Sequence, residues 1–218
     1  CLRLAAMQGG TMTYTHLRDA EAFRAAREYL LERRGRPEEA AAGFRWPVLE
    51  HFNWALDHFD RLAREQPDAP ALVIVDDAGH DSRCTYAELA ARSNRAAHWL
   101  AGVGVRRGER VLLMLGNVVP LWELMLGCMK LGAVMIPATT LLSRDDLADR
   151  IERGRVRAVV AAADQAARFD GLDAHAAPAL VRIAVGPGAP ATWHDYAGAE
   201  RADAHFVPAQ PTRADELV

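Results

Sequence analysis

Two groups of polar side chains in this sequence are suited to contact a small-molecule ligand. Thr139 and Thr140 form a hydroxyl pair just after a short apolar run, and Arg168 follows a second apolar run, Val156–Ala162. Threonine hydroxyls can bind a ligand, but they can equally satisfy the polar backbone of a loop. An arginine fork suits a phosphate group, yet 25 of the 26 basic residues are arginines, because Lys130 is the only lysine. The residues alone leave both questions open.

The remaining reactive residues form no catalytic set. Gly102–Gly104 lies between a helix and a strand, so it is better suited to end a helix than to bind phosphate, which requires strand, glycine turn and helix in that order. Gly186–Gly188 follows a strand, but no capped helix begins close behind it. The serines and the helical histidines have no neighbours at the spacing that a nucleophile or a metal ion needs. We therefore predict no catalytic residues and no metal ligands in this chain.

The elements that position the polar side chains lie after Pro70, where short apolar runs alternate with amphipathic stretches. This alternation is typical of βαβ units on a parallel sheet, so the predicted fold class is α/β with helices flanking the sheet. In such a sheet all strand carboxyl ends lie at one edge, and ligands bind there. The predicted strands are Leu72–Val75, Ser82–Thr85, Val111–Leu115, Ala133–Ile136, Val156–Ala162 and Leu180–Val185. The predicted helices cover residues 86–101, 119–131, 144–153 and 165–172.

Two helices in this region carry a start signal that depends on local chemistry. Thr85 and Glu88 form a capping box, in which hydroxyl and carboxylate each satisfy a free backbone N–H. Ser143 and Asp146 repeat the arrangement. Ser143 is therefore predicted to cap a helix and not to act as a nucleophile.

The first third of the chain reads as a helical leader. Apolar residues recur at helical spacing over 15–34 and again over 52–63, and two prolines within Glu65–Pro70 mark a linker. We predict two regions, a helical leader over residues 1–66 and an α/β region over residues 67–218. Residues 1–11 precede Met12 and are expected to be a vector remnant or an over-extended start.

Composition excludes several classes of protein. The chain has 218 residues, 50% of them hydrophobic, and a net charge of −3, which is ordinary for a globular protein and argues against nucleic acid as a partner. No apolar run reaches the length of a membrane span, and no signal peptide is recognisable. The three cysteines form no CxxC pair, so a disulfide framework and a zinc site are disfavoured and a reducing cytoplasm is expected.

Several segments, in order and suitably spaced, closely resemble the beginning of medium-chain-type acyl-CoA synthetases. These enzymes belong to the adenylate-forming superfamily, with acetyl-CoA synthetase, luciferase and peptide-synthetase adenylation domains. The resemblance covers about residues 44–218. The segments are Phe44–Pro47, Phe52–Asp57, Thr85–Leu89, Gly104–Val111, Lys130–Val134 and Pro137–Thr140.

The resemblance implies a fold and a reaction. The fold would be the N-terminal subdomain of the adenylate-forming enzymes. The intact enzyme would join a small carboxylic acid to ATP, with Mg²⁺, to give an acyl-adenylate and pyrophosphate, and would then transfer the acyl group to CoA. In related enzymes a loop similar to Thr139–Leu142 borders the CoA channel, and an arginine placed like Arg168 reaches a CoA phosphate. The resemblance thus implies Thr139, Thr140, Leu141 and Arg168 as CoA-binding residues, although some mitochondrial relatives have glutamine where Leu141 stands.

The sequence departs from this family at its end. In the family a phosphate loop rich in Ser, Thr and Gly, with its lysine, follows a segment similar to Pro211–Val218, and here the chain stops. We therefore expect an N-terminal fragment that is inactive by itself, binds none of these ligands tightly and self-associates through exposed apolar surface. The alternative is a free-standing, non-catalytic module that binds a nucleotide or a partner with the same sheet. A complete small nucleotide-binding enzyme is disfavoured because no phosphate loop is present.

Overall fold

The fold is described from a computed structural model, which covers residues 2–176 and 179–217. The chain forms two compact units. One comprises the residues up to Arg61 together with Ala209–Glu216, and the other comprises Leu62–Pro208. The predicted division at residue 66 stays a prediction. The return of residues 209–216 to the first unit was not anticipated from the sequence.

The first unit contains two α-helices and a π-helix. Helix α1 covers Leu2–Glu32, α2 covers Pro37–Gly43, and the π-helix covers Trp54–Phe59. The π-helix starts at the buried Asn53, whose side-chain oxygen accepts hydrogen bonds from the backbone N–H groups of Ala55 and Leu56. Such caps satisfy N–H groups that have no partner within a helix.

Residues 209–216 are joined to the first unit by polar contacts. Asn53 Nδ2 donates to Thr212 Oγ1 at 2.9 Å, and both residues are buried. The backbone N–H of Phe52 donates to the carbonyl of Thr212 at 3.0 Å, beside an antiparallel bridge between His51 and Arg213. A buried amide is costly unless it is hydrogen-bonded. The Asn53–Thr212 pair therefore specifies where the end of the chain lies in this unit.

Helix α3, Asp60–Glu65, includes the division between Arg61 and Leu62. The second unit then forms a separate antiparallel hairpin from β1, Pro70–Val75, and β2, Asp81–Thr85. Helix α4, Tyr86–Gly102, starts at Thr85. The predicted capping box is present: Thr85 Oγ1 accepts from the N–H of Glu88, and the Glu88 carboxylate accepts from the N–H of Thr85.

A five-stranded sheet, parallel throughout, forms the centre of the second unit, and it confirms the predicted fold class. The strands lie in the order β4-β3-β5-β6-β7. Their apolar runs show no alternation because a parallel sheet is covered on both faces. The strands are β3 Arg110–Met114, β4 Val134–Pro137, β5 Val156–Ala162, β6 Val181–Val185 and β7 His194–Asp195.

Each face of the sheet carries its own core. On one face lie α4 and α5, Val119–Leu131, with a 3₁₀-helix over Tyr196–Arg201; Leu100, Leu124 and Ile183 are fully buried there. On the other face lies α6, Arg144–Gly154, with its predicted capping box at Ser143. The second core includes Leu147, Ile151, Val159 and Phe169. The crossovers before and after β4 therefore lie on opposite faces of the sheet, as the positions of β4 and β5 on either side of β3 require.

One predicted helix is wrong. Residues 165–172 do not form an α-helix; they fall in two 3₁₀-helices, Ala163–Phe169 and Leu172–His175, separated by Gly171 at a φ of +72°. Ala166, Phe169 and Leu172 are all buried, and their spacing of three matches the 3.0 residues per turn of a 3₁₀-helix. The short strand β7 and the 3₁₀-helix over Tyr196–Arg201 were not predicted.

The two cysteines whose side chains are described, Cys84 and Cys128, are free and buried. Burial raises the pKa of the Cys128 thiol to about 12 and also raises that of Cys84. The reactive species is the thiolate. Few thiolates therefore exist at these two residues at pH 8 in the folded chain.

We expect a Cys1→Ser variant to react with a disulfide reagent at pH 8 at least about a hundredfold more slowly when folded than when unfolded, because the thiolates are both disfavoured and shielded. Absorbance of the released thiolate measures the rate. The denatured variant is the control and should release two equivalents, one for each of its two cysteines. Rapid stoichiometric labelling of the folded variant would contradict the burial of these thiols.

Within the described residues, each helix is too short or too polar to cross a membrane.

Candidate functional site

The carboxyl edge of the parallel sheet is the candidate site. Strand β3 is second in the strand order, with β4 on one side and β5 on the other. The loops that leave β3 and β5 therefore diverge, which opens a crevice of the kind where open α/β sheets bind ligands. Two polar constellations flank this edge, one on each face of the sheet.

The first constellation begins with the loop that follows β4. Thr139, Thr140 and Leu141 are exposed, and Leu141 is 90% exposed. The Thr139 hydroxyl accepts a hydrogen bond from the backbone N–H of Leu141 at 3.2 Å. Of the two roles considered for the threonine pair, loop stabilisation is therefore the one that Thr139 has here. Among the described contacts, no hydrogen bond involves the Thr140 side chain, and the Leu141 side chain is exposed.

Arg168, at the end of the first 3₁₀-helix after β5, is brought to this same loop. Its Nη1 donates to the carbonyl of Thr140 at 2.7 Å and to Gln165 Oε1 at 3.1 Å, and its Nη2 donates to the carbonyl of Leu142. Within the described contacts no carboxylate pairs with Arg168. Carbonyls satisfy its N–H groups without neutralising it, so the positive charge of the guanidinium remains available to an anion.

Arg144, which sequence reasoning missed, completes the constellation. It is the first residue of α6, and its guanidinium donates to the carbonyl of Arg168 at 3.5 Å and to the carbonyl of Asp170. Nothing in the sequence distinguishes it from the other arginines, since its partners are backbone atoms 24 and 26 residues away. The structure thus unites Thr139, Thr140, Leu141 and Arg168 and adds Arg144.

The second constellation lies on the opposite face, in a cavity of about 580 Å³ beside the end of β6. Three of the residues that line it form a polar cluster. Glu123, 9% exposed, accepts a hydrogen bond from the Tyr196 hydroxyl at 2.9 Å, and Arg92 lies 3.4 Å from its other oxygen. Burial and the adjacent Glu123 carboxylate raise the pKa of Tyr196. The hydroxyl therefore remains a donor, and the cluster is satisfied internally.

Metal ligation has no support in the described side chains, among which no three His, Cys, Asp or Glu residues gather at one point. The described carboxyl edge of the sheet also contains no phosphate-binding loop rich in Ser, Thr and Gly. Gly186 and Gly188, after β6, both have positive φ, as expected for a turn. They do not begin a helix, so the interpretation of Gly186–Gly188 as a plain turn is confirmed.

Known proteins resemble both the sequence and the fold. Acyl-coenzyme A synthetase ACSM5, mitochondrial, from Mus musculus is 31% identical over 164 residues, covering 72% of this chain and 28% of the relative. Acyl-coenzyme A synthetase ACSM2, mitochondrial, from Rattus norvegicus is 34% identical over 120 residues, covering 52% and 21%. The chain thus spans less than a third of the length of these relatives.

Solved structures give the same picture. Acetoacetyl-CoA synthetase from Streptomyces lividans superposes with a TM-score of 0.70 at 24% identity, over 80% of this chain and 28% of that protein. At this identity the likeness shows the fold. A benzoate CoA ligase from Burkholderia xenovorans LB400 superposes with a TM-score of 0.57 at 28% identity, over 75% and 30%.

The decisive comparison is with a family. The family described as AMP-binding enzyme matches residues 59–218, which include the whole parallel sheet and both polar constellations. The predicted resemblance to acyl-CoA synthetases is confirmed by the named relatives. The chain belongs to the AMP-binding enzyme family.

Proposed function

We propose that this chain is the N-terminal portion of an ATP-dependent acyl-CoA synthetase. The observation that carries the proposal is the match of residues 59–218 to AMP-binding enzymes, combined with relatives that are named acyl-coenzyme A synthetases. The carboxylate of a small-molecule acid would attack the α-phosphate of ATP and release pyrophosphate, and the thiol of CoA would then take the acyl group and release AMP.

Adenylation is the chemistry that such an acid needs. A bare carboxylate is a poor acyl donor, and attachment to AMP supplies a good leaving group. Binding of both reactants in one crevice converts their encounter into an oriented reaction. Donors and cations that offset the charge at the reacting phosphate supply the rest. The described side chains offer no cluster for Mg²⁺, so we assign no residue of this chain to that ion.

We propose that the first constellation borders the CoA-binding channel. Thr140 and Leu141 are exposed on the loop, and Arg168 has an uncompensated positive charge directly behind it. This arrangement suits a ligand with an anionic nucleotide end. The Arg168 guanidinium would attract the phosphate, and the loop carbonyls hold the guanidinium in position. Thr139, Thr140, Leu141 and Arg168 are the proposed contact residues.

We further propose that the chain by itself is inactive and binds ATP, Mg²⁺ and CoA only weakly. It spans 28% of the length of the mouse relative, and no nucleophile, base or phosphate loop is recognised in its sequence. Self-association through exposed apolar side chains stays a prediction.

The test compares two polypeptides in an ATP–pyrophosphate exchange assay with a panel of carboxylic acids. We expect acid-dependent exchange from the product of the complete reading frame that contains this chain, and only background exchange from the 218-residue chain. Exchange by the short chain would refute its inactivity. If the complete product neither exchanges pyrophosphate nor forms acyl-CoA, the synthetase assignment is wrong and the non-catalytic module is favoured.

We also propose a cytoplasmic location, which rests on the unpaired cysteines of the sequence; the names of the relatives place those proteins in mitochondria. Fractionation of cells that express the complete reading frame tests it, and recovery with mitochondria would contradict it.

A further inference from the structure

Two loops at the carboxyl edge of the sheet are joined by a reciprocal exchange of arginine side chains. Arg168, on the segment after β5, donates to the carbonyls of Thr140 and Leu142. Arg144, at the start of α6 and just after that loop, donates in the opposite direction to the carbonyls of Arg168 and Asp170. Two guanidinium groups thus donate to four backbone carbonyls.

We propose that Arg144 and Arg168 act as reciprocal positioning residues that set the shape of the Thr139–Leu142 loop. Their role in recognition rests on the proposed CoA site, whereas their mutual dependence does not. Arg144 would act on the ligand through Arg168: it holds the backbone that carries Arg168, and Arg168 in turn holds the loop that meets the ligand.

The geometry favours such a mechanism over two independent contacts. An arginine fork presents several N–H donors in a fixed plane, so one side chain can hold two carbonyls at a defined separation. Besides the bonds from Arg168, the loop has one described side-chain hydrogen bond, from the N–H of Leu141 to the Thr139 hydroxyl, and its Leu142 side chain packs against the second core. The loop should therefore become mobile when Arg168 is displaced.

Gly171 supports the close approach of Arg144. Its φ is +72°, and a Cβ at this position would lie 3.2 Å from Arg144 Nη2. The backbone conformation and the nearby guanidinium both disfavour a larger residue. The turn after the 3₁₀-helix is thus shaped to receive the Arg144 side chain.

The positive charges of Arg144 and Arg168 also matter for ligand binding. Neither guanidinium has a carboxylate partner among the described contacts of the chain. Two uncompensated positive charges therefore lie at the loop proposed to meet an anionic nucleotide. Loss of Arg144 would remove one of these charges and also move the other.

Hydrogen–deuterium exchange of the 218-residue chain tests the coupling without any ligand. In Arg144→Ala we expect exchange to accelerate at least about tenfold both in 163–171 and in 138–142, which corresponds to about 1.4 kcal/mol of local opening. The second segment is the informative one, because Arg144 does not contact it in the described structure. Arg144→Lys should show a smaller effect, since an ammonium lacks the planar fork.

The matched control is Arg153→Ala, on the same helix, where the exposed arginine lies 3.5 Å from Asp149; neither segment should change. Peptides from β3 report whether the fold is intact. If Arg144→Ala unfolds, Arg144→Lys and Arg168→Lys provide the same comparison. Acceleration confined to 163–171, with 138–142 unchanged, would overturn the proposal.

A kinetic arm separates this proposal from the proposed function. In the complete reading-frame product, Arg144→Ala should raise the KM for CoA at least about fivefold, whereas the control Arg153→Ala should leave that KM unchanged. If Arg144→Ala accelerates hydrogen exchange in both segments but leaves the KM for CoA unchanged, the proposed role of the two arginines in CoA recognition is wrong. If the unsubstituted complete product has no synthetase activity, the synthetase assignment is refuted. The hydrogen–deuterium exchange data would still decide whether Arg144 and Arg168 are coupled.

Discussion

Replacing Gly127 by valine should strongly destabilise the second unit. Gly127 lies in α5 where that helix crosses α4. A Cβ at this position would lie 2.9 Å from the Cβ of Ala96 and 3.1 Å from the backbone nitrogen of Ala97. Backbone atoms of a packed helix cannot move aside as a flexible side chain can. We expect the free energy of unfolding to fall by at least about 3 kcal/mol, through overpacking and separation of the two helices.

Urea denaturation followed by circular dichroism measures this loss. Gly102→Ala is the matched control, because Gly102 ends α4 and has nothing within 4 Å of a Cβ. Alanine there should leave stability unchanged or raise it by up to about 1 kcal/mol. If Gly127→Val were as stable as the unsubstituted chain, the close crossing of α4 and α5 would be wrong.

The second large effect concerns Lys130. This side chain is fully buried, and its Nζ donates to Asn94 Oδ1 at 2.7 Å and to the carbonyl of Ala90 at 3.3 Å. Asn94 Nδ2 in turn donates to the carbonyl of Ala204 at 2.8 Å. Lys130 thus supports a polar connection from α5 through α4 to the segment after the last 3₁₀-helix.

Lys130→Ala should lower the free energy of unfolding by about 3–5 kcal/mol, because it leaves a cavity and also removes the charged donor from Asn94 Oδ1. Lys130→Met keeps most of the volume, so its cost should be about 1–2 kcal/mol. Exposed Arg201→Ala is the control and should change stability by less than about 0.5 kcal/mol. Equal stability of the alanine and methionine variants would show that the volume of this side chain contributes nothing.

Elements determined by local chemistry were predicted well. The capping boxes at Thr85 and Ser143 each depend on residues three positions apart, and both are present. The prediction that β5 covers Val156–Ala162 is confirmed. Six of its seven residues are apolar, which is typical of a strand buried on both faces. The helix predicted over 165–172 failed because residues three apart can line either a tight 3₁₀ turn or one face of an α-helix, and only the neighbouring core decides between them.

The candidate site was predicted in part. The sequence placed Thr139–Leu141 and Arg168 at one edge of a sheet, because parallel strands bring their carboxyl ends together. It could not indicate that Arg168 would reach the carbonyls of Thr140 and Leu142, or that Arg144 would return the contact. Every residue has a carbonyl, so a pattern of side chains carries no signal for such bonds.

The sequence by itself determined the class of fold, the family and the edge of the sheet where ligands are expected, since hydrophobic period, caps and local motifs are written in neighbouring residues. Only the tertiary structure decided which groups meet across long separations. Examples are Asn53 with Thr212, 159 residues apart, and Tyr196 with Glu123, 73 residues apart. The physical reason is that these partners are chosen by how the crossovers and the returning end of the chain pack. Burial then makes each polar group depend on whichever partner lies beside it.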